Sequence, residues 1–538
     1  MSENGQNLSE LPDGWAYGTL EEVSNNIVDC LHSTPKFTDK GKYCIDTTCI
    51  EPGKILFDKV RFVPEDIYQD RVRRLVPEAG DILFAREGTI GTALVVPDNI
   101  ELCLGQRMMM FRPASCILPK YYMWALSAPV FESQWKPKVT GTTAPHVNIR
   151  DLRGMVVPLA PLQQQHRIVN KIEELFTQLD AGVDLLKKLK VKLKRYRQAV
   201  LKAAVEGKLT QDWRAAHQDE LEPASVLLDR ILKERREKWE ADQLAKMEAK
   251  GKVPKNDKWK LKYKEPPVPD TTRLLELPER WIWATFEQVS NRVTVGHVGS
   301  MKNEYVENNC KDRIPFLRSQ NVRENFFDPK GLKFISRKFH EKIQKSCLQP
   351  NDLVVVRSGS VGVSCVIPEI LQEANCSDLV IVKQPSGIHP MFGSYYMNSV
   401  ARSHVSAQQV GVALIHFNTK SMASMAIPVP PQLEQIEIVQ EVERYLSLID
   451  QIDKSISINL KRAEKLRQST LKRAFEGKLV PQDPNDEPAS LLLERIQAEK
   501  AQQEAKSKKR KTATKKSRKT TKPKQLEITD GSNEEQAS

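Results

Sequence analysis

No stretch of this 538-residue chain is apolar for long enough to span a bilayer, and the polar segment Met1–Glu10 does not read as a signal peptide, so a cytoplasmic protein is expected. Nine cysteines, an odd number without any CxxC pair, argue for reduced thiols in place of a disulfide framework. Cys30, His32, Cys44 and Cys49 could be arranged around zinc, but the second half of the chain has no matching set, and spacing alone is a weak metal signal. No Asn-Pro-Pro-Tyr or Asp-Pro-Pro-Tyr run is present to hold a flipped adenine, and no Gly-rich fingerprint sits convincingly between a strand and a helix. The Gly-Lys pairs at 41, 53, 207, 251 and 477 are never followed by Ser or Thr, which excludes a GxxxxGK[ST] phosphate loop and argues against autonomous ATP-driven movement. Nothing in the chain asks to be catalytic.

What the chain does have is charge, and most of its excess is local. Of the net +13, eleven positive charges lie in Lys506–Lys524, which holds no acid; subtracting them leaves +2 for the rest. The nearly neutral body can grip a polyanion only by patterning its basic residues on one surface or by borrowing positive potential from partners. The basic tail reads either as a disordered solubilising extension or as a non-specific phosphate binder.

The chain is far too long for one core and says the same thing twice. Glu206-Gly-Lys-Leu209 returns as Glu476-Gly-Lys-Leu479 at an offset of 270 residues. At the same offset Pro158, Pro161, Gln165, Ile168, Val169, Asp180, Gln198, Leu201 and Lys202 meet identical residues. After a five-residue deletion, Glu222-Pro-Ala-Ser225 becomes Glu487-Pro-Ala-Ser490. Leu11-Pro-Asp-Gly-Trp15 answers Leu277-Pro-Glu-Arg-Trp281, and Asp81–Arg86 with Gly88 and Gly91 answers Asp352–Arg357 with Gly359 and Gly362. Two copies this long form a pseudo-dimer on one chain, suited to a target with two halves.

Each copy divides into a globular part, a long helix and a shorter charged helix. The expected boundaries are 1–157, 158–210 and 211–250, a Lys- and Pro-rich linker at 251–276, then 277–427, 428–480 and 481–505, and the basic tail 506–538. Short β-rich runs punctuated by Gly and Pro make the globular parts α/β or mixed α+β, with a modest sheet in each. In the first long segment Ile172, Leu175, Leu179, Leu186, Leu189 and Leu193 continue a heptad seam, answered by Val442, Tyr445, Ile449, Ile452 and Ile456. About forty residues at 1.5 Å each predict rods of roughly 60 Å, nearly two turns of duplex DNA. Pseudo-twofold symmetry would lay them antiparallel with a globular domain at either end. Leu189→Ala should cost roughly 2–5 kcal/mol if Leu189 is fully buried. Past each rod, Pro223 and Pro488 can begin a helix whose stripe, Leu227, Leu228, Ile231 and Leu232 or Leu491, Leu492, Leu493 and Ile496, either folds back on its own rod or docks on another subunit.

In their order and duplication, the Leu-Pro-x-x-Trp entrances, the Arg-x-Gly-[Ser/Thr]-x-Gly segments, the hinges Pro158–Pro161 and Pro428–Pro431 and the Glu-Gly-Lys-Leu helix ends resemble the specificity subunits of type I restriction-modification systems, from about Leu8 to Glu504. The resemblance implies two target-recognition domains, each reading one half of a split, asymmetric double-stranded DNA site, with the paired helices as a coiled-coil spacer. It implies a non-catalytic chain assembled with two methyltransferase subunits, which modify adenine N6 with S-adenosylmethionine, and with restriction subunits that use ATP and Mg. The basic tail lies outside the shared pattern. A coiled-coil scaffold without sequence reading and a stand-alone nuclease are the competing classes.

Candidate DNA contacts are Arg86 with Thr89, and Arg357 with Ser358 and Ser360, at Gly-rich turns where backbone can approach phosphate; a tight turn between strands explains the same glycines. Thr142, Thr143, His146 and Asn148 form a polar loop entering the hinge, echoed by Gly411, His416 and Asn418; these residues either touch DNA or cap the next helix. Trp15 and Trp281 read as core anchors, since both belong to the shared framework.

Overall fold

The computed structural model describes residues 10–251, 254, 256–272, 274–401, 418–502 and 505, which fall into two units. The first comprises the N-terminal part through Leu186 and the C-terminal part from Ile458; the second is Lys187–Ser457. His416 and the basic tail lie outside the described residues.

The first domain is built on strands β1 (Ala16–Thr19), β2 (Ser24–Asp29), β3 (Ile82–Ala85), β4 (Ala93–Val95), β5 (Met108–Pro113) and β6 (Val156–Leu159). Four form an antiparallel sheet in the order β2-β5-β3-β4, and β1 pairs with β6. The second domain repeats this with β7 (Ile282–Thr285), β8 (Ser290–Val295), β9 (Leu353–Val356), β10 (Ser364–Val366), β11 (Leu379–Pro385) and β12 (Ala426–Val429), in the order β8-β11-β9-β10 with β7 on β12. The registers correspond too: Ala85 faces Met108 where Val356 faces Leu379.

The central strands β3 and β9 are buried at every position, so their side chains alternate between two cores. Ile82 and Phe84 face the core that receives the long helices, while Leu83 and Ala85 face a second one; Leu353 and Val355, against Val354 and Val356, divide in the same way. Over the second core both copies keep a central strand with one antiparallel and one parallel neighbour, and the second copy adds two edge strands. In the first domain this core lies under a three-stranded sheet centred on Lys42–Ile45, and in the second under a five-stranded sheet centred on Arg313–Leu317.

Two helices of 44 residues, Leu162–Val205 and Gln432–Phe475, contribute one end each to either core. Ile168, Ile172 and Phe176 meet Leu471, Ala474 and Phe475 in the first domain; Val200, Leu201 and Val205 meet Ile438, Val439 and Val442 in the second. Within the second unit the helices run antiparallel, since Lys190 pairs with Asp453 and Arg197 with Asp450. The seam is uneven. Leu193, Val442, Ile449 and Ile456 are buried, Leu175, Leu179, Leu186, Tyr445 and Ile452 are half-buried, and Leu189 is 41% exposed. The condition of full burial set for Leu189 is therefore not met, and much of its side chain stays in water.

The repeated motifs converge at one junction in each unit. The Glu-Gly-Lys-Leu turn ends a long helix with its glycine in the left-handed region, φ +69° at Gly207 and +70° at Gly477. An added Cβ would meet Pro278 at 2.5 Å or Pro12 at 2.2 Å, so the glycine lets the helix end press on the Leu-Pro-x-x-Trp entrance. There the Trp281 indole N–H donates to buried Glu434, which also accepts from Arg214 and Thr210, all at 2.8 Å. Trp15 donates to Gln164 at 3.0 Å and Gln482 at 3.1 Å. Finally, the Ala224 N–H donates to Arg280 and the Ala489 N–H to Gly14, which docks each charged extension on the domain of its own unit. Leu227, Leu228 and Ile231 are buried there, as are Leu492 and Ile496, so this domain is what the apolar stripes cover. The linker carries structure as well: Trp259 stacks on Trp239 of the extension helix Ala224–Glu248, with centroids 6.1 Å apart.

Candidate nucleic-acid interface

In the first domain the Gly-rich turn after β3 and the polar loop before β6 are joined by their backbones. Thr140 and His146 exchange two N–H···O bonds of 2.9 Å, the Gly88 N–H donates to Pro145, and the Val147 N–H donates to Arg86. Thr89, Thr142, Thr143 and Asn148 are exposed on this joint surface, and His146 is half-buried. Asn148 occupies the cap position of the short helix Ile149–Arg153, yet its side chain caps nothing and stays open to a cavity of about 560 Å³.

Arg86 forms the floor of that cavity. It is only 6% exposed, and its Nε and Nη2 atoms lie 2.9 and 3.2 Å from the two carboxylate oxygens of Asp29. His32 lies 3.1 Å from the same carboxylate, and Glu87 pairs with Arg107 at 3.0 Å. Arg86 thus has its charge met internally and holds a shape, while a ligand would meet His32, His146, Asn148 and Arg150 on the walls. Asp29, Arg107 and Arg150 were not singled out from sequence, and His32 was weighed only as a zinc ligand. The one available signal was that Asp29 ends the segment opened by Val23-Ser24-Asn25, which recurs as Val289-Ser290-Asn291.

The second domain keeps the arginine and changes its partner. Val295 stands in the register position of Asp29, so Arg357 turns to Asp378, 3.5 Å away, to which the Ser358 hydroxyl also donates. Asp378 in turn stands where Arg107 stands in the first copy, both at positive φ. Ser360 is exposed. Asn418 does cap its helix, accepting from the Ser421 N–H at 2.9 Å. Of the two readings for these asparagines, the second copy takes capping and the first leaves the amide free.

The four side chains imagined around zinc do not converge. Cys30 and Cys49 lie in one core, Cys44 in another, and His32 points to Asp29. Burial pushes the Cys49 thiol up to about 11 and that of Cys30 upward, which disfavours the thiolate a metal needs. Among the described residues, no helix is long and apolar enough to cross a membrane.

The family model described as "Type I restriction modification DNA specificity domain" matches residues 12–195 and 294–462. The chain belongs to this family. Its two matched segments each cover most of a domain and part of a long helix. Among relatives of the specificity family, the type I restriction enzyme EcoBI specificity subunit of Escherichia coli is 27% identical over 69% of this chain and 70% of its own length. The EcoKI specificity subunit of E. coli strain K12 is 23% identical over 91% and 97%. A chain solved in work on complex assembly and conformational transition of the type I R-M system has 15% identity and a TM-score of 0.59, covering 88% of this chain and all of that one, which supports the shared mixed α/β fold. The role that goes with the family is DNA sequence specificity, and neither the scaffold nor the stand-alone nuclease reading gains support from it.

Proposed function

We propose that this chain is the specificity subunit of a type I restriction-modification complex, in which each domain reads one half of a bipartite, asymmetric DNA target and the two long helices set the spacing between the halves. One observation carries the reading: the DNA-specificity family matches twice, on two copies of one strand order whose second sheets differ. A common frame with different surfaces is what two different half-sites require. The chain itself performs no chemistry. It acts in the cytoplasm with two methyltransferase subunits, which supply S-adenosylmethionine-dependent adenine N6 methylation, and with restriction subunits that use ATP and Mg.

In the first domain Thr89, Thr142, Thr143, His146 and Asn148 face the duplex while Arg86 keeps their loops in place. In the second, Ser358 and Ser360 belong to the matching turn with Arg357, Asn418 opens the matching helix, and His416, outside the described residues, joins them on the sequence echo alone. The test is genome-wide adenine methylation after co-expression with the cognate methyltransferase subunit, comparing the intact chain with a chimera whose Leu11–Val157 segment comes from another specificity subunit. A split motif in which one half changes is the expected result. Methylation unaltered by the swap, or absent with the intact chain in a verified complex, overturns the reading.

A further inference from the structure

The helices Pro119–Leu126 and Pro390–Tyr396 are counterparts: each opens on proline, and the N–H just before it, of Leu118 or His389, donates to Gln165 or Gln435 of a long helix. In the first domain the next residue, Lys120, places its ammonium 2.7 Å from Glu173 of the long helix. In the second, Glu443 keeps the place of Glu173 while Met391 replaces the lysine, and among the described residues the Glu443 carboxylate has no cationic partner.

The side chains beside it are smaller as well. Trp124 and Phe176, in edge contact at 5.1 Å, correspond to the smaller pair Tyr395 and Leu446. Together with Met391, Glu443, Asp450 and Lys454, that pair lines a cavity of about 460 Å³. Tyr395 is fully buried, and its hydroxyl has no hydrogen-bond partner. Burial and the nearby Glu443 carboxylate both push this phenol above its ordinary range. The other charges do not complete the site. Asp450 is paired with Arg197, as Asp180 is with Arg467, and Lys454 lies three helical turns from Glu443, roughly 16 Å along the axis.

The geometry points to a binding site for a primary ammonium group at the Glu443 end of this cavity, between the Glu443 carboxylate and the Tyr395 hydroxyl, carried by a lysine of a partner subunit or by a free polyamine. An ammonium has three donors and no acceptor, so it satisfies the carboxylate and the orphaned hydroxyl together. Lys120 does part of this internally in the first domain. The free-amine source rests on the second domain alone and is independent of the methylation experiment, whereas the partner-lysine source rests on the proposed function.

Thermal unfolding of the full chain with spermidine, against sodium chloride at equal ionic strength, tests the free-amine source in wild type, Glu443→Gln, Tyr395→Phe and Met391→Lys. A saturable rise in wild type, weakened about tenfold by Glu443→Gln or Tyr395→Phe and abolished by the tethered ammonium of Met391→Lys, is the expected pattern. If spermidine has no specific effect, capture of co-expressed methyltransferase subunits by the same folded variants tests the partner lysine, with a loss of about tenfold expected for Glu443→Gln and Met391→Lys. Equal spermidine responses in all four proteins together with unchanged capture overturn the site.

Discussion

At the residue scale the two copies show how one framework arginine serves two surfaces. Arg86 and Asp29 are both nearly buried, so Asp29→Ala leaves an uncompensated guanidinium and should cost about 3–5 kcal/mol, read as a lowered urea midpoint of the first domain. Arg357→Ala removes a longer contact to a half-exposed Asp378 and should move the second domain's midpoint by less. Equal losses would count against Arg86 as the positioning residue. His389 offers a pH test. Burial lowers its pKa from the usual 6.5 against an opposing pull from Glu443, and its Nδ1 accepts from the Met391 N–H, so the folded domain holds it neutral. Below pH 6.5 the unfolded chain takes up a proton that the folded chain refuses, so stability falls as pH drops from 6.5 toward the depressed folded value. His389→Gln should shrink the loss of urea midpoint between pH 7.5 and 5.5; an undiminished loss removes the histidine from the account. Little of this was legible in sequence, because Asp29 and Arg86 are 57 residues apart and only the fold makes them neighbours.

At the element scale burial, and not the heptad letter, decides what a seam residue contributes. Leu193→Ala, at 9% exposure, should cost about 2–5 kcal/mol, whereas Leu189→Ala, at 41%, should cost clearly less; calorimetric unfolding of the two variants separates them. Period alone named both residues, because a repeat reports which face a helix turns inward and is silent on how many neighbours wait there. The helix-end motifs were legible as motifs but not as a junction. Their short words, Glu-Gly-Lys-Leu, Leu-Pro-x-x-Trp and Glu-Pro-Ala-Ser, stand far apart along the chain and meet in space. The junction makes Gly477→Ala a sharp test: its Cβ would lie 2.2 Å from Pro12 at a backbone angle that favours glycine. That substitution should destabilise the first domain by more than the roughly 1 kcal/mol of an ordinary left-handed Gly→Ala change, and in differential unfolding it should leave the second domain's transition in place.

At the scale of the whole molecule the repeat was the most legible feature, since identical residues at one offset need no fold to be seen. The two extra edge strands of the second sheet were not legible, because Tyr305–Val306 and Cys347–Leu348 are too short to show a period. If the family's role is exercised as proposed, the frame and the variable sheets answer different questions, how far apart the half-sites lie and what they say. The long helices, 44 residues and about 66 Å each, carry the first. Inserting one heptad into both at matching seam positions keeps the apolar face in phase and adds about 10 Å, close to three base-pair steps. The methylated motif should then keep both half-site sequences and lengthen its gap by about that number. A complex that still assembles and methylates with the original gap would detach spacing from the helices, whereas a changed half-site would mean that the insertion had disturbed the reading surfaces themselves.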